Sequence, residues 1–344
     1  MKKLLLLSLL AATAICVFAQ KPRVVAFYNL ENLFDTINDP EKNDEEFLPQ
    51  SKRAWNTIKY QKKLSNMDKV LFDLAVEAGK EFPTVIGVCE AENRGVLEDL
   101  ISQDKLSHAN YRICHFDSPD RRGIDCAFLY RPDVFKLEGM KSIKFNMPGR
   151  PDFITRDFVT MWGTIEEEPF FFVVTHWPSR LGGKEASAAL RNAAAKQCRE
   201  FADSVRKLNP STKVMIMGDL NDDATDSSIT EVLGAKEKVK DVKDGDMYNP
   251  FISLLKAGYG TIAYRDAWGL FDNIILSGNL VNQKANGWHI IKKQGRKFYG
   301  NIFVSSYMIQ QEGQFKGYPL RTFTGNDFQG GFSDHLPVYI LISK

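Results

Sequence analysis

Lys213-Val-Met-Ile-Met-Gly-Asp-Leu-Asn221 is the stretch that decides the fold. Val214 to Met217 form a short, unbroken apolar run, as a strand does when both faces of its sheet are covered. The run stops at Gly218, and Asp219 and Asn221 follow two residues apart. If extended geometry persists that far, alternation puts both side chains on one side of the backbone at the strand end. A carboxylate beside a carboxamide there offers an acceptor and a donor to one small polar object, a water or a phosphate oxygen. The same residues are also ordinary turn chemistry, so the stretch takes its catalytic meaning from the rest of the chain.

Other apolar runs end in the same way. Arg23–Tyr28 reads as a buried strand entering Asn29-Leu-Glu31-Asn32, and Thr84–Cys89 as one entering Glu90-Ala-Glu92-Asn93. Phe170–Val174 leads to Thr175-His176-Trp177-Pro178, and Leu270–Ser277 carries Asp272 close to its start. Gly330-Gly-Phe-Ser-Asp334-His335 leads into a last strand, Val338–Ile342. Between these lie an amphipathic helix over Trp55–Ala78 that ends at Gly79, a short helix around Val96–Ile101, and an Ala-rich helix over Lys184–Lys207. Tyr111–Phe116 and Ile124–Tyr130 read as an antiparallel pair, with further strands over Val134–Phe145 and Ile154–Ile165. Gly287–Ile291 and Lys297–Phe303 suggest one more hairpin, and residues 35–52 a polar loop. Strand runs with helices between them, without linker or repeat, predict a single α/β domain over residues 20–344 with a mixed sheet system.

Residues 1–19 have a charged start, a short apolar core from Leu4 to Phe18, and Ala19 before Gln20. This is the pattern of a cleaved signal peptide, too short to favour a spanning helix, and it predicts a secreted or periplasmic protein without stable membrane insertion. Its removal takes Lys+Arg from 45 to 43 against 43 Asp+Glu, so the mature chain is balanced in charge. That excludes a broad cationic field for gripping nucleic acid non-specifically. Local clusters at Lys59/Lys62/Lys63, Arg121/Arg122 and Lys292/Lys293/Arg296/Lys297 read as solvated faces. Cys114 and Cys126 flank the turn-like Ser118-Pro-Asp-Arg-Arg-Gly123 and could be bonded or free. No Cys/His spacing suggests zinc.

Carboxylates, amides and imidazoles at strand ends suit a hard divalent ion, Mg²⁺ or Mn²⁺, with Ca²⁺ also admitted by the ligand type. Two histidines add acid–base capacity near neutral pH, and the combination points to phosphoester hydrolysis. Tyr28-Asn-Leu-Glu-Asn32, Val88-Cys-Glu90, Thr175-His-Trp-Pro-Ser-Arg180, Gly218-Asp-Leu-Asn221, Phe271-Asp-Asn-Ile-Ile-Leu-Ser277 and Ser333-Asp-His-Leu-Pro337 resemble the motifs of the endonuclease/exonuclease/phosphatase superfamily, the fold of deoxyribonuclease I. They occur in the family's order over nearly the whole mature chain. The resemblance implies a four-layered sandwich of two mixed β-sheets flanked by helices, with a metal-dependent site at one rim.

By position, the resemblance makes Glu90 the principal metal ligand, with Glu31 and Asp334 as further ligands. It gives Asp219 and Asn221 the attacking water and a phosphate oxygen. It puts His335, oriented by Asp272, on the scissile phosphate and His176 at the leaving group. Asn29 and Arg156 would contact substrate. Cys89 stands where the family often has Gln, Glu92 is an extra acid expected to be exposed, and Asp125 is a candidate to orient His176. The expectation is a monomeric nuclease acting on DNA or RNA. The rival enzymes are a phosphomonoesterase or lipid phosphodiesterase acting on a smaller phosphoester such as an inositol phosphate or sphingomyelin-like head group. A non-catalytic binding module is the third reading. It would tolerate loss of Glu90 or either histidine, and all three are present.

Overall fold

The computed structural model describes residues 21–281 and 287–344, so the expected signal peptide lies outside the described residues. The chain forms β1 (Arg23–Leu33), α1 (Thr57–Ala78), β2 (Val85–Ala91), α2 (Arg94–Ile101), β3 (Arg112–His115), β4 (Asp125–Tyr130), β5 (Phe135–Ile143) and β6 (Phe158–Ile165). It continues with β7 (Glu168–His176), α3 (Lys184–Leu208), β8 (Lys213–Asp219), β9 (Ala235–Lys236), β10 (Met247–Tyr248) and α4 (Ile252–Lys256). It ends with β11 (Ile262–Tyr264), β12 (Ala267–Gly269), β13 (Asp272–Ser277), β14 (His289–Ile291), β15 (Gly300–Ile302), β16 (Phe323–Thr324), β17 (Asp327–Phe328) and β18 (Val338–Ser343).

Among the described residues these strands make two seven-stranded sheets and two small hairpins, β11–β12 and β16–β17. The first sheet has the order β14-β18-β1-β2-β4-β3, with β15 also on β18, and the second has the order β5-β6-β7-β8-β13-β10-β9. Both are mixed, because β1–β2 and β7–β8 are parallel while neighbouring pairs are antiparallel.

Alternation along the central strands sorts the apolar side chains into layers. Phe27, Val85 and Cys89 from the first sheet meet Phe172, Met215 and Met217 from the second in one buried cluster. Their neighbours point the other way. Tyr28 and Val88 pack under α1 and α2 with Leu64, Met67 and Leu97, and Val214 and Ile216 pack under α3 with Ala194 and Cys198. The result is the expected helix–sheet–sheet–helix stack. The sheets approach closely at Gly87, where a Cβ would lie 2.5 Å from the Met217 sulfur. At Gly218 a Cβ would lie 2.0 Å from the Thr175 carbonyl oxygen on the parallel neighbour. Backbone cannot yield as a flexible side chain does, so Gly218→Ala is expected to cost about 2 kcal/mol or more of stability, as overpacking does. A melting curve matching the unsubstituted protein would contradict that close approach.

Several sequence expectations change. Residues 289–291 and 300–302 do not form a hairpin with each other; both pair with β18. Extended geometry stops at Asp219, since Asn221 adopts φ 49° and its N–H donates to Asp219 Oδ1 at 2.9 Å. Cys114 and Cys126 are free, as are Cys89 and Cys198. Cys114 lies opposite Phe128, whereas Cys126 lies opposite Cys89 on β2. Lys63 is buried under the C-terminal loops rather than solvated, donating to Thr322 Oγ1 at 2.7 Å and to the Phe332 carbonyl at 2.5 Å.

Candidate active site

Strand register builds the site. His176 lies beside Asp219 in the parallel β7–β8 pair, and Asp272 lies opposite Asp219 in the antiparallel β8–β13 pair. Three adjacent strands thus present an imidazole and two carboxylates at one level. A hydrogen bond from Trp177 N–H to the Asp219 carbonyl, 2.9 Å, ties the first two strand ends together. The first sheet contributes Asn29 from β1, and β2 places Glu90 beside it.

Like charges directly opposite each other in a sheet repel, so Asp219 and Asp272 need a counter-charge. His335 supplies it. Its Nδ1 is 2.7 Å from Asp272 Oδ2 and its Nε2 is 3.6 Å from Asp219 Oδ2. Burial opposes its protonation, but Asp272 and Asp219 outweigh burial and raise its pKa well above the usual histidine range. His176 behaves oppositely. Burial, and then the cations Arg156, Arg122 and His335, lower its pKa well below that range. Its Nε2 lies 3.5 Å from Asp219 Oδ2 and 4.0 Å from Glu90 Oε1, while its buried Nδ1 has no hydrogen-bond partner. Asp219 itself is pushed up to about 6, first by burial and then, against the pull of His335, by Asp272.

Asp219 Oδ2 is therefore a hub. It accepts from Asn29 Nδ2 at 3.0 Å and has His176 Nε2 and His335 Nε2 within 3.6 Å. Glu90 Oε1 is 3.4 Å from the same Asn29 amide, and Glu90 Oε2 accepts from Asn32 N–H at 3.0 Å. Glu31, Asn32, Glu90 and Asn221 all have positive φ, between 49° and 61°. Left-handed non-glycine residues cost on the order of 1 kcal/mol or more each. Four of them at one rim mark backbone held for side-chain placement rather than for its own stability.

The structure thus brings together Asn29, Glu90, His176, Asp219, Asp272 and His335. Asn221 borders them, but its amide donates to the Trp177 carbonyl at 2.9 Å. Arg156 is half-buried, donating to that same carbonyl at 2.8 Å and to Asp120 at 3.3 Å. Glu31 and Asp334 stand in an adjoining ion cluster. Glu31 Oε2 accepts from Thr322 N–H and Oγ1, both 2.7 Å, with Lys63 Nζ at 3.5 Å; Asp334 pairs with Arg321. Among the described residues, the acid and imidazole groups whose ligand atoms converge within 4.8 Å are Asp219–Asp272–His335 and His115–Asp117–Asp125. Asp125 does not orient His176: its Oδ2 is 2.9 Å from His115 Nε2 and its Oδ1 accepts from Ser118 N–H. Glu92 is half-buried rather than exposed. It accepts from Asp35 N–H at 2.7 Å, and burial pushes its carboxyl up to about 8.

Two supporting residues escaped the sequence reading. Lys63 falls on the apolar face of α1 four residues before Met67, a spacing that could have revealed it. Arg180 closes the Thr175–Arg180 motif. It donates to the Asn221 carbonyl at 2.8 Å, pairs with Asp222, Asp223 and Asp226, and lies 4.4 Å from the Phe271 ring centre. It thereby clamps the turn after Asp219 against the segment before Asp272.

The chain belongs to the endonuclease/exonuclease/phosphatase family, whose model matches residues 24–344. Members hydrolyse phosphoesters and are generally dependent on divalent metal, which makes this chain a hydrolase acting on ester bonds. The fold is shared with TDP2 of D. rerio complexed with single-strand DNA product, at 14% identity and TM-score 0.54, covering 94% of this chain and 100% of that one. It is shared with mannosyl-6-phosphatase of Bacteroides thetaiotaomicron VPI-5482, at 15% identity and TM-score 0.56, with coverage of 94% and 100%. The human Nocturnin catalytic domain with bound sulfate aligns at 16% identity and TM-score 0.52, covering 94% of each chain. No curated protein matches the chain.

Proposed function

We propose that the protein is an exported, Mg²⁺- or Mn²⁺-dependent phosphodiesterase that acts as a nuclease. The convergence of Asn29, His176 and His335 on Asp219 Oδ2 carries this reading. A buried carboxylate that accepts from Asn29 and faces two imidazoles at 3.5 and 3.6 Å is placed to hold a water and take its proton. His335, cationic through Asp272, stabilises charge gathering on the phosphoryl oxygens, and His176 faces the departing oxygen. Arg156 and Asn221 act by positioning, since both hold the Trp177 carbonyl beside His176.

The donor set fits a hard cation. Glu90 presents a carboxylate next to the Asn29 amide, and the buried Asp272 Oδ1 has no partner. The nearby Cys89 is kept as a protonated thiol by burial, with Cys126, Asp219 and Glu90 adding to the shift, so no thiolate competes. Glu90 would hold the ion, while Glu31 and Asp334, the further ligands expected, are engaged by Thr322, Lys63 and Arg321. A bound Mg²⁺ would supply Lewis-acid polarisation of the phosphoryl group. EDTA is therefore expected to abolish turnover and Mg²⁺ or Mn²⁺ to restore it; full activity after exhaustive chelation would end the hard-metal assignment.

A polymeric diester is favoured by cations beside the site. Arg122 Nη2 lies 4.0 Å from Glu90 and donates to Asn32 Oδ1, and Arg121 and Arg150 line the neighbouring hollow of about 500 Å³. Balanced overall charge leaves such local groups to hold flanking phosphates. The DNA-bound TDP2 structure supports a diester substrate and the mannosyl-6-phosphatase a monoester on the same fold. Export is supported by the signal-like residues 1–19. Purified protein with Mg²⁺ should therefore cut single-stranded DNA or RNA far faster than it hydrolyses inositol phosphates, sugar phosphates or sphingomyelin. The reverse order would replace the nuclease reading with a monoester or lipid one.

A further inference from the structure

A second hollow, of about 530 Å³, opens beside the catalytic centre, between the β11–β12 hairpin and the loops over residues 310–329. Asp334, next to His335, forms part of its wall. The hairpin is anchored to the site. Ile262 forms a β-bridge with His335, and Leu336 N–H donates to the Thr261 carbonyl at 2.8 Å. Whatever occupies the hollow therefore lies at a fixed distance from the scissile group.

The lining has a defined chemistry. Tyr264 and Phe315 are exposed aromatic rings, 68% and 41% accessible. The Arg265 guanidinium lies over the Tyr264 ring, 5.1 Å from its centre. Tyr318 braces the tip, its hydroxyl donating to Asp266 Oδ1 at 2.7 Å and accepting from Asp266 N–H at 2.5 Å. The planar side chains of Gln314, Gln329 and Asp327 also face in. Arg265 and Asp266 occupy the turn with φ 48° and 61°. Asn-Gly or Asp-Gly fills such a turn at less cost, so the hairpin keeps functional side chains there against local conformational preference. Carboxylates at Asp266, Glu312, Asp327 and Asp334 outnumber the guanidiniums of Arg265 and Arg321, and Arg321 is already paired with Asp334. A second backbone phosphate is repelled by such a lining. A flat, uncharged ring with hydrogen-bonding edges is not.

We propose that this hollow receives an unpaired nucleobase next to the scissile phosphate, stacked on Tyr264 and Phe315, an inference that rests on the nuclease reading. Rings buried within a duplex stack cannot reach such a surface, so the substrate is single-stranded at the point of cleavage. Stacking of a base on an aromatic side chain is sequence-tolerant, and the amides and carboxylates add modest preference through base edges.

The test compares decamers of thymidylate and of uridylate with baseless chains of the same length and backbone. For the unsubstituted protein, the kcat/KM ratio of based to baseless chain is expected to be roughly ten or more. In the Tyr264→Ala/Phe315→Ala double variant that ratio should fall towards one. Both residues are exposed, so the variant is expected to fold, which a melting curve checks. A ratio near one in the unsubstituted protein, or an unchanged ratio in the variant, overturns the base site while leaving the nuclease reading intact. Failure to cut either chain alongside rapid hydrolysis of sugar phosphates overturns both, and a loss of that hydrolysis in the variant would assign the hollow to a sugar.

Discussion

Asp219→Asn is expected to lower kcat by about a hundred- to ten-thousand-fold, the range typical of general-base removal, with little recovery at high Mg²⁺. The substitution keeps shape, and an asparagine oxygen can still accept from Asn29 at the hub. It removes only the ability to take a proton and one of two carboxylates that face each other across β8 and β13. Because that pair is repulsive, the melting temperature should not fall with the activity. Glu90→Gln provides the contrast. Its carboxylate lies on the other sheet and meets the same Asn29 amide, so its loss should weaken metal affinity, and excess Mg²⁺ should partly restore the rate. Equal rescue of both variants would show that base and ligand have been assigned to the wrong residues.

The two histidines should separate by leaving group. His335→Ala removes the cation that both Asp219 and Asp272 address, and it should damage every substrate by about a hundred-fold or more. Burial and the surrounding cations disfavour protonation of His176, so on the proposed reading it would serve the departing oxygen as a hydrogen-bonding ring rather than as an imidazolium. Such help matters most when the leaving alcohol is poor. His176→Ala is expected to cripple cleavage of a natural phosphodiester while costing bis-nitrophenyl phosphate far less. Parallel losses on the two substrates would make His176 a packing residue.

The strand ends were legible because polar residues stand out where an unbroken apolar run stops. Asn29, Glu90, His176 and Asp219 stand out that way, His335 at a Gly-rich entry to a strand and Asp272 near the start of one, and family order joins them. Register was not legible. Nothing local in Gly218-Asp219 or Phe271-Asp272 says that the two carboxylates face each other, because pairing is decided between strands distant in sequence. Short strands fail for a related reason. Residues 289–291 and 300–302 carry too few side chains to name their partner, and both went to β18. Lys63 and Arg180 were hidden because a charged residue ordinarily reads as solvated; only the tertiary arrangement gives them buried acceptors and acids. Glu31 and Asp334 show the limit of positional transfer, since Lys63, Thr322 and Arg321 partner their carboxylates in this fold.

β1 lies beside β18, so the two edges of one catalytic rim come from opposite ends of the described chain. Closing so long a loop costs only slightly more entropy than closing one half its length, but the contact gives no return until the intervening strands are in place. His335 arrives on the entry to that last strand. On refolding, Asp219 and Asp272 are therefore expected to meet, face to face, before the imidazole that reconciles them. Recovered activity should lag behind recovered strand content, and a chain stopped before Ser333 should register strands β7, β8 and β13 yet hold an electrostatic conflict at their shared end.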